Sequence, residues 1–252
     1  MTYCCAVSVR AGIVLCSDSR TNAGVDQVST YSKMFTFNLG PERQFVVMAA
    51  GNLATTQATL AQLKKDIRQN AELSFNTVAT IGDAADYVGD VSRAMQEKHA
   101  TSGPSYEASF ILGGQIKGSH HRVVMIYPEG NHITSSKDTP YLQIGESKYG
   151  KPILDRIIEL DTPLETAALC ALVSMDSTMR SNLTVGPPIE MIIYQTDSYS
   201  LENYHRFDDD DEYLRELKKS WDSRLKDAFH QLPPLAWAAN WKKIADSNSG
   251  VY

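Results

Sequence analysis

The chain has 252 residues, with 24 basic against 30 acidic side chains and a net charge of −6. It contains no basic block and no Gly/Ser-rich or Pro-rich linker, which disfavours nucleic-acid binding and points to one domain with a sizeable core. No basic-plus-apolar start resembles a secretion signal, and no apolar run approaches the ~20 residues of a spanning helix, so a cytoplasmic protein without a membrane partner is expected.

Residues 2–9 (TYCCAVSV) and 12–17 (GIVLCS) are apolar, rich in β-branched residues and cysteine, and separated only by Arg10 and Ala11. They read as a β-hairpin, with Gly12 able to take positive φ. In a hairpin closed there, opposed positions sum to about 22, which brings Asp18 and Arg20 beside Thr2. Being two apart, Asp18 and Arg20 share a sheet face, and they share Thr2's face only in an even-sum register. A polar excursion through Asn22, Gly24 and Asp26 reads as a surface loop. Lys33 then opens a strand over 33–37 (KMFTF), from which it can reach the same corner.

Met48-Ala49-Ala50-Gly51 reads as a strand end. A helix follows over 51–70, with Leu53, Leu60, Leu63 and Ile67 on one stripe, and a second over 81–99 turns Tyr87, Val88, Val91 and Met95 inward. Residues 107–116 and 121–127 read as a strand pair around Gly118, and a strand at 141–144 leads into a helix at about 151–160. Pro163 suits the first turn of the next helix, which runs to about Arg180, and 189–196 is a final strand. The order β, αα, β, αα, β fits a four-layer αββα sandwich, helices outside and two sheets inside.

Threonine is small enough for the initiator Met1 to be removed before it, and a chain then beginning at Thr2 carries a hydroxyl and a free amine on one residue. The amine, with an ordinary pKa of about 7.7 to 8.0, can take the hydroxyl's proton. Lys33 would favour neutral amine and developing alkoxide, Asp18 would hold Lys33 in place, and Gly51 offers an unobstructed backbone N–H to an oxyanion.

These residues resemble the core of a proteasome β-type subunit, within the Ntn-hydrolase superfamily. The run from Ser17 to Asp26 (SDSRTNAGVD), together with that from Met175 to Leu183 (MDSTMRSNL), is similar to one branch above the others, the bacterial Anbu (ancestral beta subunit) family, over most of residues 2–205. The resemblance implies Thr2 as nucleophile and amine base, Asp18 and Lys33 as the charged pair, Arg20 as a support, Gly51 as oxyanion donor and Asp176 as an aspartate near the threonine amine. It also implies a glycine followed by a serine before a helix. Here Gly145 is followed by Glu146 and only then by Ser147, the candidate for that role. Three positions beyond Asp176 the family's serine is replaced by Met179, leaving Ser177 or Thr178 as stand-ins.

Cys4, Cys5, Cys16 and Cys170 all lie in apolar contexts, and adjacent Cys4 and Cys5 face opposite sides of a strand, so buried reduced thiols are expected. His120 and His121 form a turn-edge pair without ligands at metal spacing. No cofactor and no metal are assigned. Residues 2–205 are taken as the Ntn domain and 206–252 as an appendage. In the appendage an acidic run at 208–212 (DDDDE), read as solvated surface ahead of calcium binding, precedes a helix with an apolar stripe through Leu214, Leu217, Trp221, Leu225, Ala228 and Leu232. Beyond Pro233-Pro234, the aromatics Trp237 and Trp241 either pack back on the body or reach a neighbouring subunit.

The resulting expectation is an N-terminal threonine hydrolase cleaving peptide or other amide bonds through an acyl-enzyme, in a large homo-oligomer. The alternatives are a non-proteolytic Ntn amidase and a catalytically idle assembly scaffold.

Overall fold

The computed structural model describes residues 1–22, 28–99 and 106–235. It divides into two compact units, Met1–Asp211 and Glu212–Tyr252. The first contains two five-stranded antiparallel sheets. One has the order β10-β1-β2-β11-β12, formed by Tyr141–Gly145, Tyr3–Val9, Gly12–Asp18, Ile189–Gln195 and Tyr204–Phe207. The other has the order β5-β6-β7-β8-β9, formed by Met34–Asn38, Arg43–Gly51, Ala108–Ile116, Arg122–Ile126 and His132–Thr134. A two-stranded ribbon, β3 (Arg20–Asn22) and β4 (Val28–Thr30), occupies part of the stretch expected to be loop.

The runs in β1 and β2 are continuously apolar because both faces of their sheet are covered. Cys4, Ala6, Ile13 and Leu15, with Ile192 of β11, face the second sheet, where they pack with Val46, Met48 and Ile111. By strand alternation the other face turns Tyr3, Cys5, Val14 and Cys16 toward helices α3 (Lys151–Ile157) and α4 (Leu164–Ser181). All four cysteines are buried and free.

The far side of the second sheet is covered by α1 (Leu53–Arg68) and α2 (Ile81–His99), enclosing Phe45, Leu60, Leu63, Phe75, Val88 and Phe110. Phe75 stacks on Phe45 at 4.8 Å and meets Phe37 and Tyr87 edge-on at 4.9 and 5.8 Å. The Tyr87 hydroxyl donates to Asp66 Oδ2 at 2.7 Å, tying α2 to α1. The result is the expected four layers, helix, sheet, sheet, helix.

Helix α1 starts two residues later than its composition suggests, because Asn52 caps it by accepting from the Thr55 N–H. Leu53 is exposed, and Thr55, Thr56 and Thr59 share the buried face with Leu60 and Leu63. Pro163 is the N-cap of α4 rather than its first helical residue.

The first unit ends beyond residue 205, since β12 pairs with β11 through Ile189↔Phe207. In the second unit α5 (Glu212–His230) has no buried residue, and it stops before Leu232, the last member of the expected stripe. Trp237 and Trp241 lie outside the described residues.

Candidate active site

Strand β1 places Tyr3 just inside the hairpin and Thr2 at its mouth. The observed pairs, Cys4↔Ser17 through Val9↔Gly12, sum to an odd number, so the even-sum register expected for a shared Thr2–Asp18 face is not the one adopted. The turn closes one residue tighter, and Gly12, at φ +152°, sits so close to the Tyr194 carbonyl that any Cβ would be 2.0 Å from its oxygen. Asp18 reaches the start of the chain through the backbone instead: its Oδ1 accepts the Tyr3 N–H at 2.9 Å.

The same oxygen accepts from Lys33 Nζ at 2.7 Å, and Oδ2 accepts the Gly186 N–H at 3.2 Å. Lys33 lies one residue ahead of β5 rather than within it, which frees its side chain to turn into the corner, where it also donates to the Arg20 carbonyl at 2.7 Å. Both partners are buried. Burial pushes the Asp18 carboxyl up, while Lys33 and the Tyr3 and Gly186 N–H groups pull it down without fully cancelling that push. Arg20 acts through this carbonyl. Its guanidinium lies against Gly186, where a Cβ would come within 2.3 Å of Cζ, and donates to the Leu183 carbonyl at 3.0 Å.

Gly51 ends β6 at φ +111°, and a Cβ there would lie 2.4 Å from the Glu107 carbonyl oxygen. The Asn52 N–H bonds to the Glu107 carbonyl and the Ala49 N–H to the Lys33 carbonyl. By alternation the Gly51 N–H therefore points to the β5 side. Strand β5 begins only at Met34, and Tyr31, which would stand opposite Gly51, gives its own N–H to the Ser19 carbonyl. Gly51 and Lys33 thus border a cavity of about 640 Å³ together with Thr2, Thr21, Tyr31 and Gly145.

The loop after β10 completes the corner. Gly145, at φ +81°, would place a Cβ 2.0 Å from the Thr2 carbonyl oxygen, and that oxygen accepts the Glu146 N–H at 2.7 Å. Glu146 Oε2 accepts from Asn182 Nδ2 at 3.0 Å. Ser147 follows, half-buried, its N–H on the Gly145 carbonyl and its own carbonyl accepting from Gln143 Nε2 at 3.3 Å. The direct link from this loop to Thr2 is made by Glu146. Asp176 is buried in α4. Ser177 and Thr178 donate their hydroxyls to the Val173 and Ser174 carbonyls one turn back, so those protons are used within the helix.

The terminal amine, carried by Met1 in the full chain, has its pKa lowered, first by burial and then by Lys33, with Asp18 and Glu146 acting in the opposite direction. The His120–His121 pair lies away from this corner, by the β1–β2 turn. His121 Nε2 is 2.9 Å from the Val9 carbonyl oxygen and Nδ1 is 2.7 Å from Thr196 Oγ1. Among the described residues no helix is long and apolar enough to cross a membrane.

The proteasome subunit family model matches residues 2–194. The chain belongs to the proteasome subunit family. Within that family it is similar to Anbu (ancestral beta-subunit) from Yersinia bercovieri, with 45% identity and a TM-score of 0.89 over 92% of this chain and 98% of that one. It is also similar to the Anbu complex of Pseudomonas aeruginosa, described as a helical assembly, with 44% identity and a TM-score of 0.90 over 94% and 100% of the two chains. A Gly-1 mutant of Anbu from Hyphomicrobium sp. strain MC1 shares 42% identity at a TM-score of 0.88, over 93% and 99%. None of the curated proteins matches. This proteasome-family chain therefore has the Ntn-type sandwich that its sequence suggested.

Two features of the corner escape a reading of the sequence. Glu146 stands out only as an interruption of the family's glycine-serine step. The Gly186 N–H on Asp18 carries no local signal, because it comes from a loop 168 positions away.

Proposed function

We propose that the chain is an N-terminal threonine hydrolase that cleaves amide bonds within a self-assembled, proteasome-like particle. The observation that carries this reading is the buried Lys33–Asp18 pair, with Asp18 hydrogen-bonded to the backbone of residue 3 and Lys33 bordering the cavity that Thr2 and Gly51 share. With Met1 removed, the Thr2 hydroxyl attacks the substrate carbonyl and its proton passes to the Thr2 amine. Lys33 stabilises the alkoxide, and the Gly51 N–H receives the oxyanion. Collapse of the tetrahedral species expels the leaving amine, which takes the proton, and leaves an ester on Thr2. Water, deprotonated by the same amine, then releases the acid and restores the hydroxyl.

Among the described residues the cavity walls around Thr2 include no carboxylate, being formed by Tyr31, Phe35, Leu53, Ala49 and neutral polar groups such as Thr21 besides Lys33. They suit an uncharged or apolar substrate side chain. Self-association is supported by the helical assembly described for the Pseudomonas aeruginosa relative.

The test is turnover of a broad library of extended peptides by native protein whose intact mass shows loss of Met1, compared with Thr2→Ala. Turnover that disappears in T2A supports the hydrolase. Turnover of small amides alone shifts the reading to an amidase. Processed, assembled protein that turns over neither, and whose Thr2 resists an electrophile bridging hydroxyl and amine, is an idle scaffold.

A further inference from the structure

Glu146 sits where the loop after β10 passes the start of the chain. Its N–H holds the Thr2 carbonyl at 2.7 Å, and Gly145 leaves the space for that approach, so residues 2 and 146 are fixed to each other by main-chain atoms. The carboxylate is held as well. Asn182, the C-cap of α4, accepts on Oδ1 from the Thr184 N–H at 3.0 Å and the Thr184 hydroxyl at 2.6 Å. With its oxygen so occupied, the Asn182 amide can present only Nδ2 to Glu146, which it does at 3.0 Å.

The charges around the terminal amine are unequal in a way that matters. Asp18 faces it from β2, but carries Lys33 on Oδ1. Arg20, from β3, turns its guanidinium onto Gly186 and Leu183, and Asp176 is buried in α4 with interactions of its own. Glu146 differs: among the described residues its side-chain partner is a neutral amide rather than a cation. Glu146 is thus a negative group at this corner whose carboxylate is held by a neutral amide.

We propose that Glu146 is a positioning residue for the start of the chain: Asn182 holds its carboxylate, the Thr2 carbonyl anchors its backbone, and its negative charge balances that of Lys33 about the terminal amine. Burial and Lys33 both drive that amine toward the neutral form, and Asp18 and Glu146 oppose them. The catalytic consequence rests on the hydrolase reading above, because only there does the amine act as base. The electrostatic consequence does not.

The experiment titrates the amine itself, whichever residue bears it. Intact protein is exposed to limiting acetic anhydride across a pH series, and modification of the N-terminal peptide is followed by mass spectrometry in wild type, Glu146→Gln, Glu146→Ala and Glu146→Asp. The Gln and Ala variants are expected to move the midpoint down by roughly half a pH unit, as loss of one partly screened charge would do. E146D is expected to recover part of the shift. A wild-type midpoint in either neutral variant, at unchanged melting temperature, overturns the proposal, and having two neutral variants guards against one that fails to fold. If the midpoint moves but no peptide is turned over, Glu146's role stands and the hydrolase fails. If turnover occurs with an unmoved midpoint, the reverse holds, and where both succeed the acid limb of the turnover profile shifts with the amine.

Discussion

At the residue scale, the Lys33–Asp18 pair is where charge and burial compete most sharply. Asp18 is fully buried, and Lys33 nearly so, at 2.7 Å. Replacing Lys33 by Met leaves a carboxylate in the interior without its cation, a change expected to destabilise the fold by about 3–5 kcal/mol at neutral pH. The sign of the pH dependence follows from the direction of the Asp18 shift. Its folded pKa is already raised, and losing Lys33 raises it further, so the folded state binds the proton more tightly than the unfolded chain. Stability of K33M should therefore rise as pH falls through the raised folded value toward the ordinary carboxylate range. Urea denaturation at pH 5 and pH 7.5 checks this: a smaller deficit at pH 7.5 would contradict it. Gly51 is constrained by shape instead. At φ +111°, with the Glu107 oxygen 2.4 Å from any Cβ, Gly51→Ala should lose roughly 1–3 kcal/mol and displace the N–H proposed for the oxyanion, read together by thermal melting and peptide turnover. The hairpin register shows why single positions mislead: a turn one residue shorter moves every side chain after it to the opposite face.

At the element scale, the long segments were the legible ones. α2 runs over the residues its periodicity indicates, because a 19-residue amphipathic pattern averages out local exceptions. β3, β4, β9 and β12 were not, since each has three or four residues and takes its order from neighbours rather than from its own composition. α1 shows a subtler override. Its buried face is built from three threonines and two leucines, and Thr55 and Thr59 spend their hydroxyls on the Tyr106 and Thr55 carbonyls, so polar residues enter the core without an unmet bond. Between α1, α2 and the second sheet, Phe75 lies in a connecting segment yet is fully buried among three aromatic rings. Phe75→Ala should cost about 3–5 kcal/mol in equilibrium unfolding. A loss below 1 kcal/mol would mean that the layer closes over the cavity.

At the scale of the whole molecule, the second unit is the part that a lone sandwich does not require. α5 buries none of its residues, and Leu225, Phe229, Leu232 and Leu235 are exposed. Deleting residues 233–252 is expected to lower the particle mass in light scattering, and an unchanged mass would show that the tail serves its own subunit. What the sequence determined alone was the order of layers, the buried cysteines, and the return of the hairpin's far end, with Asp18, to the start of the chain. Periodicity over long segments and the reach of a short hairpin are local properties, readable one stretch at a time. The hairpin's register, the Gly186 N–H on Asp18, the cavity edge left open beyond Gly51, and the Glu146–Asn182 link were decided only in three dimensions. Each joins segments distant in the chain, and which atoms meet there depends on how the two sheets and α4 pack.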